Sequence, residues 1–212
     1  MKVGIIGAGS VGGTLGKALA RKGHQIFYGV KNPQDEKTRE LLRDTGTNAQ
    51  AGPPSRAAAF AEAVLFATPW PATEAAIRSA GDLTGKIVID CTNPLKPDLS
   101  GLEIGHTTSA AEKVAGWAKG AKVFKAFNTT GFNIMADPVI NGTRTVMFVC
   151  GDDGSAKQAV LQLATDVGFD AVDAGKLIQA RLLEPWAMLW ISLAFGGKTG
   201  RDFGFALLRR KT

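Results

Sequence analysis

The sequence predicts an α/β fold in which a mostly parallel, doubly wound sheet is followed by a small helical C-terminal part. Three observations predict it. Short apolar, β-branched segments alternate with helical segments over most of the chain, and helices of this kind join parallel strands. Glycine makes up 26 of the 212 residues, which suits many tight strand-to-helix turns. The last third changes character and carries one long, largely apolar helical pattern.

The chain opens with a predicted strand over residues 2–6, a glycine-rich turn and a helix over 13–20. Gly7 permits the tight turn, Gly9 lets a pyrophosphate approach the backbone, and Gly12 lets the helix pack closely on the strand. The free N–H groups and the positive dipole end of the helix then face the phosphates. This context is that of a dinucleotide-binding, Rossmann-like fold. The predicted cofactor contacts in this turn are Gly7, Ala8, Gly9, Ser10, Val11 and Gly12.

The second strand, predicted over 24–29, indicates which dinucleotide is preferred. In an NAD-specific fold, an acidic residue about 20 positions after the glycine turn holds the ribose 2′-hydroxyl. Lys31 takes that place, and its cation can neutralise a 2′-phosphate, so the sequence favours NADP; the alternative is a solvated surface lysine. Asn32 and Pro33 predict the N-cap and first position of the next helix. The predicted contacts are Val30, Lys31 and Asn32, with Arg39 as an assistant.

Each later strand is predicted to end in a polar or proline-stiffened loop, and such loops form the ligand crevice of an open α/β sheet. Asn93 can hydrogen-bond a ribose or a nicotinamide amide, and Trp70 is either a cofactor wall or a core aromatic. The predicted contacts here are Ala67, Thr68, Pro69, Trp70, Asn93, Pro94, Ala126, Asn128 and Thr129. The strands are predicted over 47–51, 63–67, 86–90, 122–127, 145–149 and 169–172, and the helices over 56–62, 72–79, 109–117 and 155–167.

Composition and charge narrow the class of partner. The net charge is +6, from 25 basic and 19 acidic residues, and no block of Lys and Arg precedes the run 209–211. Solubility and attraction of a polyanionic cofactor explain this charge better than nucleic-acid binding. The longest uncharged apolar stretch, 185–197, is shorter than the ~20 residues of a membrane span. Met1 leads directly into the first strand, so we expect no signal peptide. Taken together, the charge pattern, the short apolar stretch and this start predict no nucleic-acid partner, no membrane partner and a cytoplasmic location.

Few side chains indicate catalysis. The two cysteines, Cys91 and Cys150, each end a predicted strand and are expected to be small buried hydrophobes in a reducing compartment. His106 stands alone in a loop, as a surface residue or a catalyst, and no side chains at ligand spacing accompany it, so no metal site is predicted. The last helix, predicted over 177–194, carries an apolar stripe that is core, a dimer contact or a cofactor or substrate wall. No catalytic residue is assigned.

Six segments share a pattern with a known family: 7–13, 67–70, 125–129, 150–153, 173–175 and 180–184. Together they resemble the NADPH-dependent F420 reductase family, also called F420-dependent NADP oxidoreductases. The chain is similar, too, to the cytosolic reductase domain of six-transmembrane metalloreductases. The resemblance implies an NADP-binding Rossmann domain over 1–150 and an extension over 151–212 that completes the acceptor pocket and contributes a dimer contact, with a homodimer as the expected assembly.

The chemistry that the resemblance implies is hydride transfer between the nicotinamide C4 of NADP(H) and a deazaflavin ring, coenzyme F420. Such a reaction needs two stacked, water-shielded rings and little from side chains, which agrees with the lack of an acid–base pair. The family commonly has Ser or Thr where this chain has Val30, and the loop 128–133 differs from the archaeal form. Two alternatives are an NADPH-dependent reductase of a flavin, quinone or ferric acceptor and a non-catalytic NADP-sensing module. A hydroxyacid dehydrogenase would need a lysine on the last helix, and residues 177–194 contain none.

Overall fold

The structure is a computed structural model and describes residues 1–197 and 199–210. Strands and helices alternate through most of these residues, as predicted. The strands are β1 (Lys2–Ile6), β2 (Gln25–Gly29), β3 (Ala49–Gly52), β4 (Ala63–Phe66), β5 (Ile87–Asp90), β6 (Lys122–Lys125), β7 (Val139–Ile140), β8 (Thr143–Arg144), β9 (Val146–Gly151) and β10 (Asp170–Gly175). The helices are α1 (Ser10–Arg21), α2 (Glu36–Thr45), α3 (Pro54–Phe60), α4 (Trp70–Ala80), α5 (Ala110–Trp117), α6 (Phe132–Ala136), α7 (Gly154–Val167) and α8 (Ala180–Gly196), the last preceded by a 3₁₀ turn, Leu177–Gln179.

Eight strands form one sheet in the order β3-β2-β1-β4-β5-β6-β9-β10. The pairs from β3 to β6 are parallel, β9 runs antiparallel to β6, and β10 runs parallel to β9. The chain winds outward from β1 in one direction to β3 and then in the other direction from β4. The switch between β1 and β4 is where ligands bind in doubly wound sheets. The predicted Rossmann-like α/β class is therefore confirmed.

The apolar strands are buried because helices cover both faces of the sheet. On one face, Ile5 and Tyr28 pack with α1; on the other, Phe66 packs with α3 and α4. The close fit on α1 depends on Gly16, where a Cβ atom would lie 2.1 Å from the Tyr28 hydroxyl. The burial of that hydroxyl raises the pKa of Tyr28 to about 12. Both cysteines are buried and free, as predicted.

Several predicted boundaries are wrong for identifiable reasons. Asn32 does not cap α2: its side chain accepts a hydrogen bond from the Gln34 N–H in a turn, while Asp35 accepts one from the Thr38 N–H at 2.7 Å and is the N-cap. β6 ends two residues before the predicted Phe127, whose φ of +59° takes the chain out of the strand. The helix α6 and the hairpin β7–β8 had no expected counterpart.

The C-terminal extension is part of the same sheet and core. The predicted boundary at residue 150 falls inside β9, and β10 continues the sheet beyond it. Two hydrogen bonds fix the described part of the tail after α8. The Trp190 indole N–H donates to the Phe203 carbonyl at 3.0 Å, and the Val146 N–H donates to the Phe205 carbonyl at 2.8 Å. Residues 211–212, which end the predicted extension and include the last of the basic run, lie outside the described residues. Among the helices described, we find none with the length and apolar character needed to cross a bilayer.

Candidate functional site

The glycine turn after β1 has a different steric demand at each glycine. Gly7 has a φ of +100°, and a Cβ atom there would lie 2.6 Å from the Ala67 carbonyl oxygen. At Gly12 a Cβ atom would lie 2.0 Å from the Gly7 carbonyl oxygen. At Gly9 it would meet nothing within 4 Å. Gly7 and Gly12 are therefore needed for the fold of the turn, whereas Gly9 keeps clear the space in which a pyrophosphate would approach the backbone.

The N-terminus of α1 has the features of an anion site. Gly9 is the N-cap and offers no side chain to the helix, and no acidic residue lies in the first turn. The first intrahelical donor is the Gly13 N–H, which bonds the Gly9 carbonyl at 2.8 Å. The N–H groups of the preceding residues have no carbonyl partner within the helix, and the dipole there is positive. A diphosphate fits this combination of open space, free donors and positive potential.

A cavity of about 570 Å³ lies at the carboxyl ends of β1 and β2. α4 and the start of α2 form its other walls, mostly through alanine and other small side chains. Lys37 and the α4 face were not among the predicted contacts. The structure brings six of the predicted contacts into its lining: Gly7, Ala8, Val30, Lys31, Asn32 and Thr68.

Two lysines give this cavity its charge. Lys31 and Lys37 line it, and neither belongs to an ion pair among the residues that the structure describes. Arg39 does not line it and lies 3.8 Å from the Glu36 carboxylate instead. Asp35 also lines it as a carboxylate, because hydrogen bonds from Thr38 hold the pKa of this group below its usual range, so the lining sets two cations against one anion. The cavity can therefore take a charged phosphate, as the 2′-phosphate of NADP requires.

The remaining predicted contacts lie outside this cavity. Trp70 begins α4, and its ring lies 5.4 Å from that of Trp117, so it packs between α4 and α5. Ala67 and Pro69 flank Thr68 on the loop between β4 and α4. Asn93, Pro94, Ala126, Asn128 and Thr129 follow β5 and β6, at the other half of the crevice.

Asn93 and Asn128 tie the loops after β5 and β6 together. The Asn93 side-chain amide donates to the Asn128 backbone carbonyl at 2.8 Å. The Asn128 amide donates to Asn93 Oδ1 at 3.1 Å and to the Leu183 carbonyl of α8 at 3.2 Å. Two backbone carbonyls thus fix the orientation of both amides. Asn93 supports its neighbour here, a role that the sequence did not indicate.

Unsatisfied polar atoms are concentrated at the same strand ends. Within residues 1–197 and 199–210, four buried side-chain oxygens have no hydrogen-bond partner; three of them lie in the loops after β5 and β6, and the fourth lies in α6. Buried polar atoms in native proteins are nearly always paired, so such a cluster indicates a place for a polar ligand. The four atoms are Thr92 Oγ1, Asn128 Oδ1, Thr130 Oγ1 and Asn133 Oδ1.

A fully buried charge cluster lies beneath these loops and was missed by sequence reasoning. Lys125 Nζ lies 2.8 Å from both Asp90 Oδ2 and Glu184 Oε1 and donates to the Thr92 carbonyl at 2.7 Å. Burial alone would lower the pKa of Lys125, but the two carboxylates outweigh it and raise that pKa. Burial raises the pKa of Glu184, and Lys125 opposes this only in part. The available signal was a lysine in a buried strand and a glutamate beside the uncharged stretch of α8.

Glu184 also joins α8 to the N-terminus of α5. Its two carboxylate oxygens accept hydrogen bonds from the N–H groups of Ala110 and Ala111 at 2.9 and 3.2 Å. One turn earlier on α8, Arg181 binds the Glu112 carboxylate with two hydrogen bonds of 2.7 and 2.9 Å. The hydrogen bonds from Arg181 hold the pKa of Glu112 below its usual range. The extension is thus fixed to the nucleotide half of the molecule by charge as well as by packing.

The described residues provide binding groups rather than a catalytic set. No three His, Cys, Asp or Glu side chains among them are grouped as metal ligands. Burial raises the pKa of the Cys91 thiol, and it raises the pKa of Cys150 to about 12, so both thiols are unreactive. The arrangement can hold a dinucleotide across the switch point of the sheet, and the redox chemistry would come from the nicotinamide that it holds.

Comparisons with known proteins agree with this geometry. A family profile described as NADP oxidoreductase, coenzyme F420-dependent, matches residues 2–94. One similar crystal structure is that of a protein from Arthrobacter sp. FB24, named as an F420-dependent NADP reductase. Its sequence is 31% identical to this chain, and the two structures superpose with a TM-score of 0.87 over 99% of this chain and 100% of that one. The hypothetical protein SMa0349 from Sinorhizobium meliloti is 25% identical with a TM-score of 0.78, over 98% of this chain and 96% of that one.

Among curated proteins, Metalloreductase STEAP3 from Rattus norvegicus is 31% identical over 184 residues. The match includes 86% of this chain but only 36% of the length of that relative. A reductive aminase from Aspergillus terreus, 18% identical with a TM-score of 0.67 over 92% of this chain and 61% of that one, shares the fold. The glycine turn, the lysine-lined cavity and these similarities lead to one conclusion: the chain is an NADP-dependent oxidoreductase and belongs to the coenzyme F420-dependent NADP oxidoreductase family.

Proposed function

We propose that the protein transfers hydride between NADP(H) and a deazaflavin, coenzyme F420. The single observation that carries the nucleotide half of this proposal is the cavity beside Gly9, which Lys31 and Lys37 both line without acidic ion-pair partners among the described residues. The deazaflavin half is supported by the family profile and by the name of the Arthrobacter relative.

In this proposal each part of the crevice has one task. The cavity takes the adenosine and its 2′-phosphate, and the first turn of α1 takes the diphosphate. The unsatisfied oxygens after β5 and β6, such as Asn128 Oδ1, support a polar nicotinamide carboxamide nearby. The nicotinamide, when bound, supplies the hydride chemistry. The protein contributes the fixed position of the ring and the exclusion of water.

Two measurements test the proposal. NADPH binding, followed by fluorescence, should be tighter than NADH binding by about tenfold or more, because a charge-assisted contact to the 2′-phosphate contributes roughly 1.5–3 kcal/mol. Mixing the protein, NADPH and coenzyme F420 should bleach the deazaflavin absorbance. Equal affinity for the two nucleotides would remove the 2′-phosphate argument, and an unbleached deazaflavin would remove F420 as the acceptor.

A second candidate is reduction of a flavin, a quinone or a ferric complex with NADPH. The observation that favours it is the 31% identity to a metalloreductase. NADPH oxidation with FMN, a soluble quinone and ferric citrate in parallel with F420 separates the two candidates. A rate with one of these acceptors that exceeds the rate with F420 would replace the deazaflavin in the proposal.

A further inference from the structure

Residues 201–205 of the tail form a short segment, which we call the strap, that packs against the start of β9. The Phe205 carbonyl accepts the Val146 N–H at 2.8 Å, at the first residue of that strand. Gly204 lies so close to the preceding residue, Thr145, that a Cβ atom there would overlap Cγ2 of the threonine. The strap therefore has a fixed place on the molecule, and glycine is required at its centre.

The strap also fixes the indole of Trp190, on α8. The rings of Trp190 and Phe203 are stacked, with centroids 5.3 Å apart and an angle of 21° between their planes. The indole N–H donates to the Phe203 carbonyl at 3.0 Å, so the polar atom of this buried side chain has a partner. Because stacking sets the plane of the indole and the hydrogen bond sets its edge, Trp190 is held in one orientation.

The indole in turn packs against the end of the loop between β6 and α6. A Cβ atom at Gly131 would overlap Cη2 of Trp190 and lie 2.9 Å from its Cζ2, although the φ of −78° at Gly131 is open to any residue. The Asn133 side-chain amide donates to the Arg201 carbonyl at 2.8 Å. The Arg201 guanidinium lies over the Phe132 ring, 4.9 Å from its centroid. Three consecutive residues are thus held by the strap, one of them through Trp190.

The same loop carries polar atoms that are left for a ligand. Asn128 Oδ1 and Thr130 Oγ1 are buried in it without a hydrogen-bond partner among the described residues, and Thr130 immediately precedes Gly131. A group that contacts a ligand is only as well placed as the packing behind it. Because hydride transfer needs two carbons at near-contact distance, a displacement of about 1 Å can cost about a hundredfold in rate.

We propose that the strap and Trp190 fix the position of the loop 128–133, and through it that of the nicotinamide ring, so that Trp190 is a positioning residue for hydride transfer. The inference rests on the proposed function for the place of the nicotinamide, and it does not depend on which acceptor takes the hydride. Neither the strap nor Trp190 lines the cavity beside Gly9. Loss of the contact should therefore weaken the hold on the nicotinamide half of the nucleotide alone.

Trp190→Phe tests the contact, because it keeps an aromatic ring beside Phe203 but removes the indole N–H and the ring edge over Gly131. Two nucleotides distinguish the halves of the site: NADPH, and 2′-phospho-ADP-ribose, which has the same adenosine, diphosphate and 2′-phosphate but no nicotinamide. In calorimetric titrations the dissociation constant for 2′-phospho-ADP-ribose should stay within about twofold, while that for NADPH should rise by about fivefold or more. With the acceptor that the wild type reduces fastest, kcat should fall by about tenfold or more.

A second variant and a matched control accompany this one. Phe203→Leu removes the stacked ring from the half-buried strap and keeps the backbone carbonyl that accepts the indole N–H. It should lower kcat by about threefold or more with unchanged affinity for 2′-phospho-ADP-ribose. Trp117→Phe is the control, because it makes the same exchange on α5, where the indole packs with Trp70. It should leave both affinities and kcat within about twofold, and thermal unfolding shows that each variant is folded.

The outcomes separate this inference from the proposed function. If folded Trp190→Phe keeps the wild-type NADPH affinity and kcat, or loses affinity for 2′-phospho-ADP-ribose as much as for NADPH, the inference is wrong. If Phe203→Leu behaves like the wild type while Trp190→Phe does not, the strap has no part in positioning. If the wild type binds NADPH but reduces no acceptor, the proposed function falls, and the ratio of the two dissociation constants in the variants still decides the inference.

Discussion

At the residue scale, Gly9 and Gly12 separate the needs of the fold from those of the ligand within one turn. A methyl group at Gly9 meets open space, whereas one at Gly12 would overlap the Gly7 carbonyl. We expect Gly9→Ala to unfold at the wild-type temperature but to bind NADPH about tenfold or more weakly, because the methyl occupies the phosphate approach.

Gly12→Ala is the matched control for that variant. It should lower the free energy of unfolding by about 1–3 kcal/mol, as overpacking does. Thermal unfolding and NADPH titration on both variants check the pair. A Gly9→Ala protein that binds NADPH with full affinity would show that the diphosphate does not pass this residue.

The lysines of the cavity should determine the choice of nucleotide. Lys31→Glu and Lys37→Ala should each weaken NADPH binding by about tenfold or more and leave NADH binding nearly unchanged, because only NADPH carries the 2′-phosphate. Arg39→Ala is the control, since Arg39 lies outside the cavity. Parallel titrations with both nucleotides measure the ratio. A loss of equal size for NADH would mean that the lysines contribute only a general positive field.

Lys31 could be predicted from sequence because its distance from the glycine turn is fixed by one strand and one helix. Lys37 could not, because no fixed spacing from the glycine turn indicates its position. The helix was expected to begin at Pro33, whereas α2 begins after its N-cap Asp35, and Lys37 lines the cavity. Asparagine, aspartate and proline are all favoured at helix starts, and the hydrogen bond from the Thr38 N–H to Asp35 decides between them.

At the scale of elements, the ion pair between Glu112 of α5 and Arg181 of α8 makes stability depend on pH. The pKa of Glu112 is lowered in the folded state, so its contribution is complete above the ordinary value of 4.5 and is lost as the pH falls through the lowered value. Glu112→Gln should be less stable than the wild type at neutral pH, and the difference should shrink as the medium becomes acidic.

Unfolding temperatures of both proteins between pH 7 and pH 3 provide the measurement. Glu74→Gln is a control, because its ion pair with Arg78 lies within one exposed helix and contributes little. If the difference in unfolding temperature between the Glu112→Gln and wild-type proteins stays constant through the acidic range, the pKa of Glu112 is the same in the folded and unfolded protein, and the prediction is wrong.

The buried cluster of Asp90, Lys125 and Glu184 should tolerate the loss of its amine poorly. Lys125→Met leaves two carboxylates facing each other without a counter-charge, so the free energy of unfolding should fall by about 3–5 kcal/mol. Lys157→Met is the comparison, because the partner of Lys157, Asp173, is half exposed and stays hydrated; its loss should be nearer 1 kcal/mol. Denaturant titration checks both. Equal losses would mean that Lys125 contributes no more than an ordinary ion pair.

The sequence located the elements that carry this cluster but not the cluster itself. Strand and helix patterns concern neighbours along the chain, and Glu184 lies 74 positions from Ala110, which it caps. Contacts of that range depend on the order of strands in the sheet. Arg181 and Glu184 are one turn apart on α8, yet Arg181 pairs with Glu112 of α5 and Glu184 pairs with Lys125 of β6.

At the scale of the whole molecule, α8 presents an apolar face that is exposed in the described part of one chain. Leu182 is 66% exposed and Leu189 is 49% exposed, and Ile178, Trp186 and Leu193 continue the stripe. We propose that a second copy of the chain covers it, in a symmetric dimer that makes this helix pack against its equivalent. Leu182→Glu should then halve the mass in sedimentation experiments, whereas Leu208→Glu, on the described tail and 85% exposed, should leave it unchanged. A wild-type chain that sediments as a monomer would contradict this proposal.

The winding of the sheet from β3 to β6 follows from alternation of strands and helices, since right-handed crossovers leave few other arrangements. The reversal of β9 does not follow, because it depends on α6 and the β7–β8 hairpin turning the chain back. Those elements are only two to five residues long and carry no hydrophobic period. The part of the candidate site that lies on the first strands was predictable, whereas the prediction was incomplete for the part that depends on α8.

Because Glu184 on α8 neutralises Lys125 in β6, the part that follows residue 150 is no removable appendage. A polypeptide ending there would lose β10 from the edge of the sheet, and it would lose the α8 carboxylate that accepts the Ala110 and Ala111 N–H groups and covers the pair of Lys125 and Asp90. A gene product shortened to that point should therefore be recovered as aggregate rather than as a free nucleotide-binding module.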